Sequence, residues 1–217
     1  MPEQDPTKTR LLEAAGREFA EKGYELARVR AICERAGANL AAVNYHFGDK
    51  EQLYREVLLE AHRCGPDPST APELGALSTA EKLRAFIAHF IEHVIGLGDT
   101  DSWQNRLIMR EIVDPTPALE FLVRESIRPR FEALRAIMRE VRPDADAQRI
   151  DVLCFSVIGQ CLHYKVATRV MDRLIGADRR EALTAAYLAD HIAEFTLAAL
   201  GLGPPVASSE AQVRSQS

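Results

Sequence analysis

The sequence predicts an all-α protein: an N-terminal three-helix head carrying a helix-turn-helix, then a larger helical domain. Three observations carry that prediction. Apolar residues recur three and four apart in one segment after another, the spacing of a helix with one buried face. Gly23, Gly37, Gly48 and the proline-containing stretches punctuate those segments. Residues Val29 to Phe47, reading VRAICERAGANLAAVNYHF, hold two short apolar-periodic segments hinged at Gly37.

Thr9 to Lys22 is an amphipathic helix with Leu11, Leu12, Ala15 and Phe19 on one face, ended by Gly23. Val29, Ile32, Cys33 and Ala36 form the buried stripe of the second helix. Gly37 supplies a turn with positive φ at no Cβ cost, and Asn39 is a natural N-cap for a third helix. In that third helix Val43 and Phe47 point back at its predecessor, while Ala41, Ala42, Asn44, Tyr45 and His46 lie wholly or partly outward. That outward set is what a helix entering a DNA groove requires. Gly48-Asp49-Lys50-Glu51 makes a turn and a new helix start, and Leu53, Tyr54, Val57, Leu58 and Ala61 continue as another stripe.

The order of these elements resembles the TetR family of bacterial transcriptional repressors. The resemblance covers roughly residues 7 to 63. It rests on the Ile32-Cys33 pair, the Ala36-Gly37 turn, the aromatic end Asn44-Tyr45-His46-Phe47 and the start Lys50-Glu51-x-Leu53. It implies a three-helix DNA-binding head followed by a connecting helix, with the positions of Tyr45 and His46 contacting phosphate or base edges. Two departures from the usual pattern stand out. Ala27-Arg28 occupies the place where a hydroxyl residue often caps the second helix and binds phosphate, and Leu40 stands where a polar residue is usual.

Charge makes any DNA footprint local. Residues 1 to 63 hold ten Lys and Arg against eleven Asp and Glu, so the head is not globally basic. Between Leu26 and Lys50, however, Arg28, Arg30, Arg35 and Lys50 face only Glu34 and Asp49. Arg28 and Lys50 are read as phosphate clamps, one at the start of each helix flanking the groove reader, with the amides of the helix beginning at Lys50 aimed at the backbone. Ala41 and Ala42 lack bulk and permit close approach. Asn44 has the geometry for a bidentate contact to adenine. Asn39 and Leu40, at the entry of the reading helix, complete the expected interface.

A chain of 217 residues leaves about 150 for a second unit with its own core. The expected organisation is a head with connecting helix over 1–63, a connector over 64–77, a second domain over 78–200 and a flexible tail over 201–217. The connector is marked by the Pro, Gly, Ser, Thr and Asp of Pro66 to Ala76. Ser78 with Glu81 forms a capping box, and Leu83, Phe86, Ile87, Phe90, Ile91, Val94 and Ile95 continue from it at helical spacing. Trp103 to Val113 is a further helix, stopped by Asp114-Pro115-Thr116-Pro117. The next runs toward Val141 with Pro129 inside it, predicting a bend near Ile127 to Arg130.

Ile150 to Val166 is apolar nearly all round, and a helix without a water-facing side must be covered on both faces. A final helix is expected from the box Asp178 to Glu181 through Leu183, Tyr187, Leu188, Ile192 and Phe195 to Leu200. These last two helices resemble the pair that forms the four-helix dimer interface of TetR proteins. That resemblance places Phe155, Ile158, Leu162, Tyr187, His191 and Phe195 in a homodimer contact, two heads being needed to read a palindromic operator in double-stranded DNA. The runs IMREIVDPTPALEFLV, IRPRFEAL and GQCLHYKVA look like the TetR subgroup with a CecR-like C-terminal domain, associated with control of efflux and drug response. The resemblance implies a small-molecule effector among the middle helices. The candidates there are His89, Phe90, His93, Trp103, Arg106, Met109, Arg110 and Phe121, with Glu111 beside them, a mixture suited to a mostly apolar pocket with a few orienting groups.

Other chemistries fit less well. His89 and His93 are four apart and could grip a metal from one helix face, but no third ligand stands nearby. Cys154 and Cys161 are seven apart without a CxxC partner, and the four cysteines suit a reduced, cytoplasmic compartment. There is no phosphate loop, GxSxG elbow or paired-carboxylate signature, so no enzyme and no cofactor are expected. No run reaches the ~18 apolar residues of a membrane span. The rival to a DNA-binding regulator is an α-helical adaptor that docks partners through the same amphipathic faces.

Overall fold

The computed structural model describes residues 5–63, 77–96 and 102–204, and among these every regular element is helical. The expected connector at Pro66 to Ala76, Cys64 and the tail beyond Pro204 lie outside the described residues. The helices are α1 (Pro6–Leu26), α2 (Val29–Ala36), α3 (Leu40–Phe47), α4 (Lys50–Arg63), α5 (Thr79–Gly96), α6 (Trp103–Val113), α7 (Ala118–Leu122), α8 (Arg128–Val141), α9 (Ala147–Val166), α10 (Thr168–Ile175), α11 (Ala177–Glu181) and α12 (Ala185–Ala199).

The contacts divide the chain into two compact units. The first joins the segment through Pro66 with Gly96–Arg130, and the second joins Asp67–Ile95 with Phe131–Ser217. Thus α6 and α7, expected in the second domain, group with the head. The reason is apolar complementarity: Trp103, Leu107, Ile108, Ala118 and Leu122 share one buried cluster with Leu11, Phe19, Ile32, Val43, Leu53, Tyr54 and Leu58. Phe19, Tyr24 and Tyr54 form its aromatic centre, with the Tyr54 ring 4.8 Å from Phe19 and 4.9 Å from Tyr24.

In the second unit Leu83, Ile87 and Ile91 of α5 pack with Leu134 and Met138 of α8, with Ile150, Cys154, Val157 and Cys161 of α9, and with Leu188, Ile192 and Leu197 of α12. The Ser78–Glu81 box forms as the sequence predicts. The Glu81 carboxylate accepts from the Ser78 amide at 2.8 Å and from its hydroxyl at 2.6 Å, and the Ser78 hydroxyl accepts from the Glu81 amide at 3.4 Å. Asp146 caps α9 by accepting from the Arg149 amide at 2.7 Å.

Pro129 sits inside a helical run that continues without a break from Ala118 to Val141, as the sequence predicts, and a π-helical turn over Val123–Ile127 directly before it is the local rearrangement that accommodates the missing N–H. One expectation needs correction. The last long helix does not start at the Asp178–Glu181 box, which belongs to the short α11. It begins at Ala185 behind Thr184, whose extended backbone and hydroxyl, accepting from the Tyr187 amide at 3.2 Å, make the better cap. Leu183 therefore lies in the turn before it. No sequence signal marked α10 as a separate helix, and it leaves α9 at an angle of 70°.

Candidate nucleic-acid interface

The two helices of the motif are held as the sequence predicts. Gly37 takes a left-handed conformation (φ 60°, ψ 40°) that only glycine enters cheaply, and its amide closes the end of α2. Two residues on, the Asn39 side chain accepts from the Ala42 amide at 2.9 Å. Asn39 thus caps α3, which leaves its carboxamide oxygen committed to the backbone. Val43 and Phe47 are buried and anchor α3 to the head. Gly48 and Asp49 then turn the chain, and the Asp49 carboxylate caps α4 by accepting from the Gln52 amide at 2.8 Å.

What α3 shows to solvent is Leu40, Ala41, Asn44 and Tyr45. Tyr45 is 84% exposed and Leu40 51%, so neither ring nor side chain is used by the core. Ala42 is half-buried against the core. His46 is mostly covered, with its Nε2 3.6 Å from the Asp5 carboxylate, so it stands at the edge of the presented face. The Asp5 carboxyl is held below its ordinary range, first by the Thr7 amide it caps and also by His46.

The expected clamps differ from each other. Arg28 is exposed at the N-cap of α2, and its side chain makes no capping bond, so the missing hydroxyl noted in the sequence is not replaced by the guanidinium. The buried Glu18 carboxylate lies 3.5 Å from the Arg28 amide and supplies negative charge at that helix start. Lys50 is engaged within the head: its ammonium donates to the Glu25 carbonyl at 3.3 Å and lies 4.7 Å from the centre of the Tyr24 ring. A phosphate contact from Lys50 would have to compete with those partners.

Ion pairing resolves the near-neutral charge of the head. Arg17 pairs with Glu13, Lys22 with Glu18, Arg35 with Glu21 and Glu18, Arg55 with Glu51, and Lys8 with Glu56. Arg28 and Arg30 are exposed and have no ion-pair partner among the described residues. The acids therefore neutralise cations elsewhere and leave these bases beside the reading helix. Arg30, in the first turn of α2, joins Arg28 as a candidate for backbone contact.

The candidate effector residues are divided between the two units. Trp103 is buried in the first unit, its indole donating to Glu13 at 2.8 Å. Arg110 lies over Gly23, where a Cβ would come within 2.7 Å of its guanidinium. Phe121 is flanked by the guanidinium groups of Arg55 and Arg124 at 5.4 and 5.6 Å. Met109 is half-buried and Arg106 exposed. His89, Phe90 and His93 belong to α5 of the second unit, where Phe90 stacks on Phe86 and His93 is buried. A groove of about 370 Å³ on the head, lined by Thr9, Arg10, Glu13, Ala14, Arg17, Arg35 and Ala36, includes none of the eight. Among the described residues no three His, Cys, Asp or Glu side chains are placed to hold a metal ion. No single helix there is long and apolar enough to cross a membrane.

The dimer candidates occupy α9 and α12. Phe155 is 62% exposed, Tyr187 59% and Phe195 51%, with Val152 and Val166 also open on α9. His191 is exposed, and Ile158 and Leu162 are half-buried.

A capped, core-anchored helix that shows its other face to solvent within a three-helix head defines a helix-turn-helix DNA-binding regulator. Comparison with known proteins identifies the kind. The family described as bacterial regulatory proteins, tetR family, matches residues 11–57, and the C-terminal domain of the HTH-type transcriptional dual regulator CecR matches residues 79–200. The chain belongs to the TetR family, with a CecR-type C-terminal domain, and is a transcriptional regulator rather than an enzyme. It is 29% identical to the dual regulator CecR of Shigella flexneri over 75% of this chain and 77% of that one. It is likewise 29% identical to the repressor AcnR of Corynebacterium jeikeium over 77% and 87%. Among solved structures, the hemolysin II regulator HlyIIR superposes with a TM-score of 0.57 at 21% identity over 85% of this chain and 96% of its own. The TetR regulator TylP from Streptomyces fradiae gives 0.53 at 22% over 96% and 94%. These two likenesses show the shared fold.

Proposed function

We propose that the protein is a cytoplasmic homodimeric repressor that occupies a palindromic operator and releases it when a small molecule binds the C-terminal domain. The genes it controls belong to efflux or drug response. The observation that carries the DNA half is the solvent-facing set Leu40, Ala41, Asn44 and Tyr45 on a helix whose opposite face is fully buried. Large apolar and aromatic groups are left in water on α9 and α12, which supports a second copy as their cover. TetR-family regulators typically form homodimers, and the relatives' names, a dual regulator and a repressor, support repression as the sign.

The mechanism is a shift between two populations. Paired reading helices must enter successive major grooves about 34 to 36 Å apart. An effector that favours a different spacing lowers operator affinity by its differential binding, of order 1–3 kcal/mol. The His89, Phe90 and His93 set of α5 is the part of the effector candidates that lies in the second unit.

Selecting bound fragments from a random DNA pool and footprinting them tests the reading. A protected inverted repeat is expected. Replacing Tyr45 and His46 together by alanine removes the gel shift while the folded protein persists. An unchanged shift rejects α3 as the reader, and salt-independent binding favours an adaptor. Titrating candidate drugs against operator affinity tests the switch, which fails if every bound ligand leaves affinity unaltered.

A further inference from the structure

We infer that the Glu111 carboxylate, together with Tyr54 and Thr116, is a positioning group for DNA binding: it fixes one register of α4, the helix that follows the reading helix. This rests on the DNA-binding reading of the head and adds to it a residue far in sequence from α3. Glu111 is completely buried and Tyr54 is 1% exposed. The Tyr54 hydroxyl donates to Glu111 Oε2 at 2.6 Å. The Thr116 amide and hydroxyl donate to Oε1 at 3.0 and 2.9 Å. Thr116 Oγ1 in turn accepts from the Ala118 amide at 3.2 Å, at the start of α7. One carboxylate therefore ties α4 to α6, to the turn after it and to α7.

Packing alone does not require this arrangement. Removing a carboxylate from water is costly, and an apolar side chain of similar size would fill the same space without that cost. No lysine or arginine among the described residues forms an ion pair with Glu111, so compensation comes from three directional donors. Directional bonds differ from apolar contacts in tolerating only one alignment: sliding α4 by one residue, about 1.5 Å, separates the Tyr54 hydroxyl from its acceptor. Only Gly48 and Asp49 separate α3 from α4, so the alignment of α4 sets where α3 stands. In chain order α6 and α7 fall between the two segments of the second unit, Asp67–Ile95 and Phe131–Ser217. The carboxylate is where this segment grips α4.

The test uses the full-length protein and the operator selected from the random pool. Glu111→Leu with Tyr54→Phe removes the polar key but keeps the ring that packs on Phe19 and Tyr24, and half-buried Thr116 can turn to water. The double variant is expected to unfold at close to the wild-type temperature, yet to bind operator about tenfold more weakly. Glu111→Gln, whose carbonyl still accepts from Tyr54, recovers most of that loss. A folded double variant with wild-type affinity overturns the inference. If the double variant does not fold, Tyr54→Phe alone decides: a folded single variant with about threefold weaker binding supports the role, and one with unchanged binding overturns it. Failure of the wild-type chain to select any DNA strikes instead at the reading of the head, a separate and recognisable result.

Discussion

Trp103 is the only tryptophan of the chain, and its ring covers Gly16 of α1 so closely that a Cβ there would come within 2.4 Å of ring atoms. Glycine at 16 is thus a packing requirement, although its backbone is ordinary helix. Gly16→Ala is expected to destabilise the protein by about 1–3 kcal/mol in denaturant titration, with a shift in tryptophan emission before global unfolding. No spectral change would show that α6 does not rest on α1. Tyr45 is the opposite case: being almost fully exposed, Tyr45→Ala should leave stability within about 0.5 kcal/mol while weakening operator binding severely. The thiols make a third case. Burial pushes Cys154 up to about 11 and Cys161 up to about 12. A thiol that holds its proton more tightly in the fold contributes stability below the ordinary value of 9.0, and that contribution is lost as pH rises through 11 to 12. At pH 8 a thiol reagent should label both cysteines only as fast as the protein opens, measured by peptide mapping. Rapid labelling of the folded chain would show instead that these thiols are open to reagents and to oxidation.

At the scale of elements, legibility tracked locality. The α2–turn–α3 unit was readable because Gly37, Asn39, Val43 and Phe47 each act within a few residues of themselves. The cap is testable: Asn39→Ala should cost about 1 kcal/mol in unfolding free energy. No change would mean that the Ala42 amide finds another acceptor. Where competing local signals existed, the sequence misled. Asp178 and Glu181 look like a helix start, yet Thr184, with an extended backbone and a hydroxyl that reaches the Tyr187 amide, begins α12. Pro129 does lie inside a helical run, but nothing in the sequence marked the π-turn that accommodates it just upstream. The candidate site was legible in part for the same reason. Outward residues of α3 emerge from periodicity alone, whereas the Lys50 contact with Glu25 and Tyr24 and the Glu111 contact with Tyr54 join residues 25 or more apart in sequence. Composition cannot show which cations are paired either: nearly equal numbers of acids and bases conceal that Arg28 and Arg30 stand apart from the ion pairs.

For the whole molecule, two properties must appear together if two heads read one operator. The first is association. Phe155, Tyr187 and Phe195 leave apolar area in water on α9 and α12, and covering it with a second copy is worth roughly 25 cal/mol for each Å² removed from solvent. Phe155→Glu with Phe195→Glu places two carboxylates in that contact, and since both side chains are more than half exposed in the single chain, the fold itself should tolerate them. Sedimentation is expected to give dimers for the wild type and monomers for this variant. The second is electrostatics: a dimer touching several phosphates loses affinity steeply as salt rises, with a log–log slope of about −0.9 per phosphate neutralised. A monomer presenting one head should show about half the wild-type slope, and Arg28→Ala should lower the dimer's slope by about 2, one contact from each head. A monomeric variant that keeps full affinity and full slope would mean that one head suffices and that α9 and α12 serve another partner. A wild type with no salt dependence would show that α3 does not lie against a phosphate backbone at all.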